Sequence, residues 1–308
     1  MKLIIPAVFI SLLIIVFIAV FILPPPYTLT KTLKIPINYF GLISLKIPEE
    51  KIERALTPKF NPNLKDFSGN NIAIYVKGLE KNFVYEQNTK QSFNAASLYK
   101  IPLAIGTMFK IESGEINLNT TYKYYEEDLE EGTSFLLTET DKENFDIRTL
   151  LFFMLNKSDN ISKNILLRNL GKEVVNEAAL KCGISPSVHL QNNITAEAAG
   201  TYFECLYSNK ALSETNSKLL LDFMTNTYFE NRLTNKLPFG TVVAHKIGSW
   251  FDPASYHDCG IVFAKDPYVI CVLTQGLDGQ TAEEVIGEIS KEVYESTPKT
   301  PHPDTIIP

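Results

Sequence analysis

The stretch that decides the fold of this chain reads Ser97-Leu98-Tyr99-Lys100. A serine and a lysine three positions apart lie on the same face of a helix, so the Lys100 amine is within reach of the Ser97 hydroxyl. An amine with a lowered pKa can take the hydroxyl proton and convert the serine oxygen into a nucleophile. The spacing therefore predicts Ser97 as a nucleophile and Lys100 as its base.

The residues around this stretch are typical of a buried helix. Asn94 is suited to cap the helix, and the run from Leu98 to Phe109 is largely apolar. Ser97 would then lie in the first turn, where unpaired backbone N–H groups stabilise an anion on the serine oxygen. A second Ser-x-x-Lys begins at Ser296, but its spacer contains a proline and a proline-rich tail follows, so we assign it no role.

Two more short motifs follow downstream. Ser158-Asp159-Asn160 lies between two helical stretches, which predicts a helix-helix corner. His245-Lys246-Ile247-Gly248-Ser249 follows the strand-like run 241–244. Taken singly, each has an ordinary structural interpretation. Asp159 bonds local backbone at a helix cap, His245 packs in a strand, and Lys246 is a solvated charge at a strand end.

Together the three motifs resemble the active-site set of the serine beta-lactamases and penicillin-binding proteins, S-x-x-K, S-D-N and K-T-G. The resemblance runs from about residue 71 to residue 295, and the hairpin-like segment 72–85 and the run Leu237-Pro238-Phe239-Gly240-Thr241 look like the class A branch. It implies an α+β fold: an antiparallel sheet flanked by helices, with an inserted all-helical lobe. The cleft between sheet and lobe would hold the three motifs.

The resemblance also implies a role for each motif residue. Ser97 attacks a carbonyl, Lys100 assists as base, and Ser158 relays a proton to the leaving nitrogen. Asn160 positions the substrate and Lys100, and Lys246 adds positive charge near Ser158 and the substrate carboxylate. Gly248 and Ser249 complete the substrate-binding strand, and the N–H groups of Ser97 and Ser249 form the oxyanion hole. No cofactor or metal is expected.

The sequence departs from class A enzymes in three places. Their deacylating glutamate is missing, because the interval 181–195 contains no glutamate; His189 could activate water there, although a turn histidine is more often exposed. Ile247 replaces a threonine or serine, a loss for which Ser249 could compensate. Cys259 stands where many class A enzymes have the arginine that binds the substrate carboxylate, and Arg232 is the only arginine nearby in the sequence.

The N-terminus predicts where the chemistry takes place. Residues 3–23 form an apolar run long enough to span a bilayer, so we expect residues 1–23 to be an uncleaved transmembrane signal anchor. A proline-containing spacer (24–47), the hydrolase domain (48–297) and a flexible tail (298–308) would follow. This arrangement predicts a single-pass protein of the cell membrane with its catalytic domain extracytoplasmic.

Coarse patterns add further expectations. We expect a helix over 48–56, a helical block over 97–235, strands over 241–246, 257–264 and 268–274, and a final helix over 282–294. In an oxidising compartment the four cysteines could form two bonds, Cys182 with Cys205 and Cys259 with Cys271. The net charge of −6 argues against a nucleic-acid partner.

The predicted function is that of a membrane-anchored serine hydrolase of the class A type, which opens beta-lactam amides through a Ser97 acyl-enzyme. Its partner would be a small-molecule beta-lactam or a peptidoglycan peptide. Two alternatives remain open. One is a penicillin-binding D,D-peptidase, which the missing glutamate favours. The other is a protein that binds beta-lactams or muropeptides without hydrolysing them.

Overall fold

The computed structural model describes residues 60–297, apart from Asn70 and Asp141, together with two short strands nearer the N-terminus. These strands, Leu33–Pro36 (β1) and Leu42–Leu45 (β2), pair antiparallel within the predicted spacer, a pairing that the spacer prediction did not include. The predicted anchor, the helix over 48–56 and the tail lie outside the described residues. Among the residues that are described, no helix combines the length and the apolar character needed to cross a membrane.

A five-stranded antiparallel sheet forms one part of the unit 60–297. Its strand order is β4-β3-β11-β10-β9. The strands are Ile72–Gly78 (β3), Val84–Gln87 (β4), Val243–Phe251 (β9), Ala254–Val262 (β10) and Tyr268–Gln275 (β11). The first two confirm the predicted hairpin, and the last three confirm the predicted return to strands late in the chain.

Both faces of the central strands β3 and β11 are buried, which explains why these two strands are long apolar runs. Alternate residues of a strand point to opposite faces. Tyr75 and Cys271 therefore belong to the core on the side of the helical lobe, whereas Ile74 and Val272 belong to a second core. The final helix, Gly279–Ser296, covers that second core with its own apolar residues.

The helical lobe lies between β4 and β9 in the sequence, as predicted. Its α-helices are Lys100–Glu112 (α1), Phe135–Glu139 (α2), Ile147–Asn156 (α3), Asn160–Leu170 (α4), Glu173–Cys182 (α5), Ala196–Tyr207 (α6) and Glu214–Phe223 (α7); Gly279–Ser296 is α8. The expectation that this lobe is all-helical is wrong, because connecting segments pair through their backbones as two short sheets: Phe93–Asn94 (β5) with Asn193–Ile194 (β8), and Thr121–Lys123 (β6) with Asn144–Asp146 (β7).

Helix α1 is the centre of the lobe, and every residue from Lys100 to Phe109 is buried. Gly106 explains how closely α5 packs against it. A Cβ atom at this position would lie 2.2 Å from the Val174 carbonyl oxygen, so a larger side chain would force the two helices apart. The apolar residues after Lys100 therefore form the core of the lobe, and Gly106 lies where α1 packs against α5.

The two cysteine predictions have different outcomes. Cys182 at the end of α5 is bonded to Cys205 in α6, as expected. The Cys259–Cys271 prediction is wrong in this structure, because both residues are buried free thiols. The two residues lie directly opposite each other on β10 and β11. A disulfide bond also requires specific side-chain dihedral angles, which strand pairing alone does not provide.

Removal of the Cys182–Cys205 bond is expected to destabilise the domain. The bond closes a segment with a sequence separation of 23 residues, for which loss of the cross-link costs about 3 kcal/mol of unfolding free energy. Urea unfolding of the wild type with and without a reductant measures this loss. The Cys182→Ala/Cys205→Ala variant should not respond to the reductant, whereas Cys271→Ala should respond as the wild type does. A wild type that is insensitive to reductant would contradict the expectation.

Candidate active site

The turn that carries Ser97 is held in place from two sides. Ser97 belongs to a 3-10 helix, Ala96–Tyr99, that leads into α1. The prediction that Asn94 caps the helix is wrong, because the N-cap residue is Ala95 and no side chain caps the helix. Asn94 Oδ1 instead accepts a hydrogen bond of 2.9 Å from the Ala96 N–H, which links the strand before the turn to its first residue. Ala96 has a φ of 46°, which is unfavourable for a residue with a Cβ atom. The surrounding contacts must therefore hold this conformation.

Those contacts come from β10 and from the segment before α6. His257 on β10 donates from Nε2 to the Asn94 carbonyl oxygen at 2.8 Å and accepts at Nδ1 from the Thr274 N–H at 3.2 Å. The Ala95 N–H donates to the Asn192 carbonyl oxygen at 2.7 Å. Burial lowers the pKa of His257 to about 4, so the ring stays neutral at physiological pH and keeps this donor-acceptor pattern.

The Lys100 amine is the meeting point of the first two motifs. Its Nζ lies 3.0 Å from Ser97 Oγ, 3.2 Å from Ser158 Oγ and 2.7 Å from Asn160 Oδ1, and it also contacts the Ser158 carbonyl oxygen. Burial, followed by the positive charges of Lys246 and Lys163, lowers the pKa of Lys100 well below its usual value. The structure thus brings the side chains of Ser97, Lys100, Ser158 and Asn160 together.

The partners of Lys100 match those of a neutral amine. The Ser158 carbonyl oxygen and Asn160 Oδ1 only accept, and a neutral amine has two hydrogens to give them. The lone pair that remains can accept a proton from a hydroxyl, and Ser97 Oγ is 3.0 Å away. This arrangement is suited to draw the proton from Ser97.

The Ser158-Asp159-Asn160 corner is built by its central residue. Asp159 is fully buried and caps α4, where its Oδ1 accepts from the Ser162 N–H at 2.6 Å; its Oδ2 accepts from the Leu136 N–H at 2.9 Å. This is the structural role that the sequence predicted for Asp159. Ser158 has a φ of 55°, so the corner turns sharply and directs the flanking Ser158 and Asn160 side chains to Lys100.

Lys246 approaches the same serine from the sheet. The His-Lys-Ile-Gly-Ser motif lies inside β9 and not at the end of a strand, because β9 continues its pairing with β10 as far as Phe251. Lys246 Nζ donates to Ser158 Oγ at 2.8 Å and to the Ile247 carbonyl oxygen at 3.1 Å. Burial and the positive charge of Arg232 lower the pKa of Lys246 to about 7, against the opposing effect of Asp258.

Gly248 lets β9 approach the nucleophile turn. A Cβ atom there would lie 3.2 Å from the Ala95 carbonyl oxygen and 3.3 Å from Leu98 Cγ. A larger residue would push β9 away from the turn that carries Ser97. The absence of a side chain at Gly248 thus lets β9 pack against the turn that carries Ser97. Ser249 is the next residue of β9.

Arg232 was noted in the sequence only as a nearby arginine, and the structure places it against Ser249. Its Nη2 donates to Ser249 Oγ at 2.6 Å, and its Nη1 donates to the carbonyl oxygens of Gly248 at 2.9 Å and of His257 at 2.7 Å. Its guanidinium carbon lies 5.4 Å from the centre of the Tyr256 ring. Sequence reasoning could not assign this position, because the contact joins a loop to two strands.

The segment where class A enzymes carry a glutamate holds no carboxylate at the site. His189 in this segment is buried and not exposed as expected; its Nε2 lies 2.6 Å from the Tyr202 hydroxyl, and the two rings stack. Burial lowers the pKa of His189. Within the described part of the chain, no carboxylate hydrogen-bonds to Ser97 or Lys100. These contacts place a base at Ser97, and no carboxylate of the described residues takes the position next to them that the class A glutamate would occupy.

This geometry agrees with comparison to known proteins. The family model described as the beta-lactamase enzyme family matches residues 51–297. The chain belongs to the beta-lactamase enzyme family. It is accordingly a serine hydrolase of class A type, and its α+β fold is that of the beta-lactamases.

Two curated beta-lactamases from Pseudomonas aeruginosa are similar in sequence. The extended-spectrum beta-lactamase PER-1 is 25% identical over 237 residues, which cover 68% of this chain and 76% of that protein. Beta-lactamase VEB-1 is 22% identical over 236 residues, or 68% of this chain and 78% of that protein.

Solved structures show the same fold. The TLA-1 extended-spectrum beta-lactamase superposes with a TM-score of 0.68 at 26% identity, covering 77% of this chain and 95% of that one. PBP-A, at 19% identity, superposes with a TM-score of 0.67 over 78% of this chain and 98% of its own, which is a likeness of fold alone.

Removal of the Asp159 carboxylate is expected to destabilise the corner between α3 and α4. Asp159→Ala leaves the buried N–H groups of Ser162 and Leu136 without partners, which costs about 2 to 3 kcal/mol of unfolding free energy. Urea unfolding measures the loss. Asp278→Ala, which removes the exposed cap of α8, is the matched control and should cost less. Equal stability of Asp159→Ala and the wild type would show that the carboxylate does not hold the corner.

Proposed function

We propose that this serine hydrolase opens the amide of a beta-lactam through an acyl-enzyme on Ser97. The observation that carries the proposal is the set of contacts around Lys100 Nζ, which brings Ser97 Oγ, Ser158 Oγ and Asn160 Oδ1 within 3.2 Å of one buried amine. A hydroxyl next to an amine of lowered pKa is the arrangement that activates a serine.

Acylation follows from these contacts. Neutral Lys100 takes the Ser97 proton as Oγ attacks the carbonyl carbon, and the backbone N–H groups of Ser97 and Ser249 stabilise the oxyanion. As the carbon–nitrogen bond breaks, the Ser158 hydroxyl gives its proton to the leaving nitrogen. Ser158 then recovers a proton from Lys100, 3.2 Å away, which returns Lys100 to the neutral form. The net transfer is one proton from Ser97 to the leaving nitrogen.

Positive charge at the edge of β9 favours a substrate that carries a carboxylate. Arg232 Nη2 lies 2.6 Å from Ser249 Oγ, and the Arg232 charge is near enough to lower the pKa of Lys246. Arginine is suited to bind a carboxylate because its donors form a planar fork. In this proposal Ser249 and Arg232 take the place of the hydroxyl lost at Ile247 and of the arginine absent at Cys259. A beta-lactam or a peptide with a C-terminal carboxylate fits this pattern.

Deacylation separates the proposal from its alternatives. Because the interval 181–195 has no glutamate and His189 is bonded to Tyr202, we assign the activation of water to Lys100 as well. Lys100 would have to serve in both halves of the reaction, so we expect a long-lived acyl-enzyme. This feature specifically favours the second candidate function, a penicillin-binding D,D-peptidase acting on peptidoglycan peptides. It also favours a protein that binds beta-lactams or muropeptides without hydrolysing them.

The proposed location is the outer side of the cell membrane. The apolar run 3–23 supports a single-pass anchor, with the catalytic domain extracytoplasmic. The bond between Cys182 and Cys205 is compatible with an oxidising compartment of this kind. A membrane-bound hydrolase at the cell wall would meet both beta-lactams and wall peptides.

The function is tested by following a chromogenic cephalosporin and the intact mass of the full-length protein over time. Fast turnover without a lasting adduct would support a beta-lactamase with an unusual deacylating base. A stable adduct on Ser97 with little turnover would support the peptidase or the binding protein, and D-Ala release from a wall-peptide mimic would then distinguish these two. We expect the adduct to accumulate, since no carboxylate of the described residues hydrogen-bonds to Ser97 or Lys100.

The matched control uses the second Ser-x-x-Lys of the chain. Ser97→Ala should abolish covalent labelling, whereas Ser296→Ala, at the end of α8, should label as the wild type does. Labelling of Ser97→Ala at another residue would remove Ser97 as the nucleophile. The absence of both adduct and turnover in the wild type would overturn the proposed function.

A further inference from the structure

His245, the residue before Lys246, lies between two carboxylates. Its Nδ1 is 2.9 and 3.0 Å from the two oxygens of Asp258, and its Nε2 is 3.3 Å from Glu230 Oε1 and 3.2 Å from Thr227 Oγ1. The ring is fully buried. Ionised carboxylates only accept hydrogen bonds, so a ring that faces a carboxylate at each nitrogen is suited to be an imidazolium with two N–H donors.

The same carboxylates hold the loop 227–233. Asp258 Oδ2 accepts from the Leu233 N–H at 3.1 Å, and Glu230 Oε1 accepts from the Thr227 N–H at 2.6 Å. His245 on β9, Asp258 on β10 and Glu230 in the loop thus form one hydrogen-bonded array. Through these hydrogen bonds, both ends of the loop 227–233 are connected to β9 and β10.

Arg232 lies within this loop, next to Leu233. From there its guanidinium reaches Ser249 Oγ and the Gly248 carbonyl oxygen. A shift of the loop would therefore move the donors of Arg232 relative to Ser249. No part of the proposed acylation chemistry uses His245, although His245 and Asp258 are fully buried as a pair.

We propose that His245 is a positioning residue, an imidazolium that fastens the loop 227–233 to β9 and β10 and thereby holds Arg232 in place to bind the carboxylate of a substrate. The proposal rests on the proposed function in one respect, the role of Arg232 and Ser249 as the carboxylate site. His245 itself touches neither substrate nor the reacting atoms.

The charges that face His245 determine its titration. They are Asp258 from β10 and Glu230 from the loop. Lys246 and Arg232 act in turn on Asp258. Burial works against the imidazolium, but the charge and hydrogen bonds of Asp258 and then of Glu230 prevail and raise the pKa of His245 to about 9. The folded pKa is above the unfolded value of about 6.5. The stabilisation is therefore complete below about pH 6.5 and is lost as the pH rises through about 9.

The first experiment detects the imidazolium directly. In the full-length protein labelled with 15N-histidine, one ring should remain an imidazolium at pH 8, and its signal should be missing from His245→Gln. His189 and His257 have lowered pKa values and should be neutral at this pH. A neutral His245 at pH 8 would overturn the proposal without bearing on the Ser97 chemistry.

The second experiment separates positioning from folding. The concentration dependence of acylation by a penicillin and by its methyl ester gives a dissociation constant and an acylation rate constant for each. His245→Gln should weaken binding of the free carboxylate about ten-fold, because a charged hydrogen bond is misplaced, and affect the ester much less. Equal losses for both compounds would mean a merely structural residue and would overturn the proposal.

Glu230→Gln is the milder variant in case His245→Gln does not fold, because the Glu230 side chain is 41% exposed. It removes one anion from the array and should move the alkaline loss of penicillin binding to a lower pH, with little change in the acylation rate constant. An alkaline limb that stays at the wild-type pH would overturn the proposal. If the wild type is acylated by neither compound, the proposed function fails, and the NMR experiment still decides the state of His245.

Discussion

The site depends on two buried lysine amines that share one serine hydroxyl. Lys100 Nζ and Lys246 Nζ lie 3.2 and 2.8 Å from Ser158 Oγ, and the two residues are 1% and 2% exposed. Two ammonium ions this close together and out of water would be strongly unfavourable, so the arrangement favours loss of a proton from at least one of them. The acceptors around Lys100 indicate that it is the neutral one. Burial and the neighbouring charge of Lys246 thus lower the pKa of Lys100, which is what would allow it to act as a base.

The fold is arranged to bring these amines together. Lys100 comes from the first turn of the central helix of the lobe, Ser158 from the corner between α3 and α4, and Lys246 from the edge strand β9. Asp159 fixes the corner, and Gly248 allows β9 to pack beside the turn that carries Ser97. The lobe and the sheet are therefore not two independent parts of the domain, since the chemistry lies where they meet.

Local spacing explains how much could be predicted from the sequence. Ser97 and Lys100 are three residues apart, and Ser158 and Asn160 flank one cap, so each motif could be recognised without knowledge of the fold. The contact of Arg232 with Ser249 and the burial of His189 depend on tertiary packing, which no short pattern encodes. The Cys259–Cys271 prediction failed for a related reason: the register was right, but register alone does not make a bond. Likewise, the extent of β9 beyond Lys246 depends on its pairing with β10.

The interval 181–195 is where this chain departs most from a conventional class A enzyme. In the proposed mechanism, with no glutamate in that interval, Lys100 is the base of both acylation and deacylation, so its protonation state would govern both steps. The most direct test of this view is an NMR titration of the Lys100 side chain, assigned by its loss in Lys100→Arg. We predict that the Lys100 amine loses its proton at a pH well below that of a free lysine, because burial lowers its pKa. An ammonium signal that persists to pH 10 would contradict the central claim that burial makes Lys100 the base.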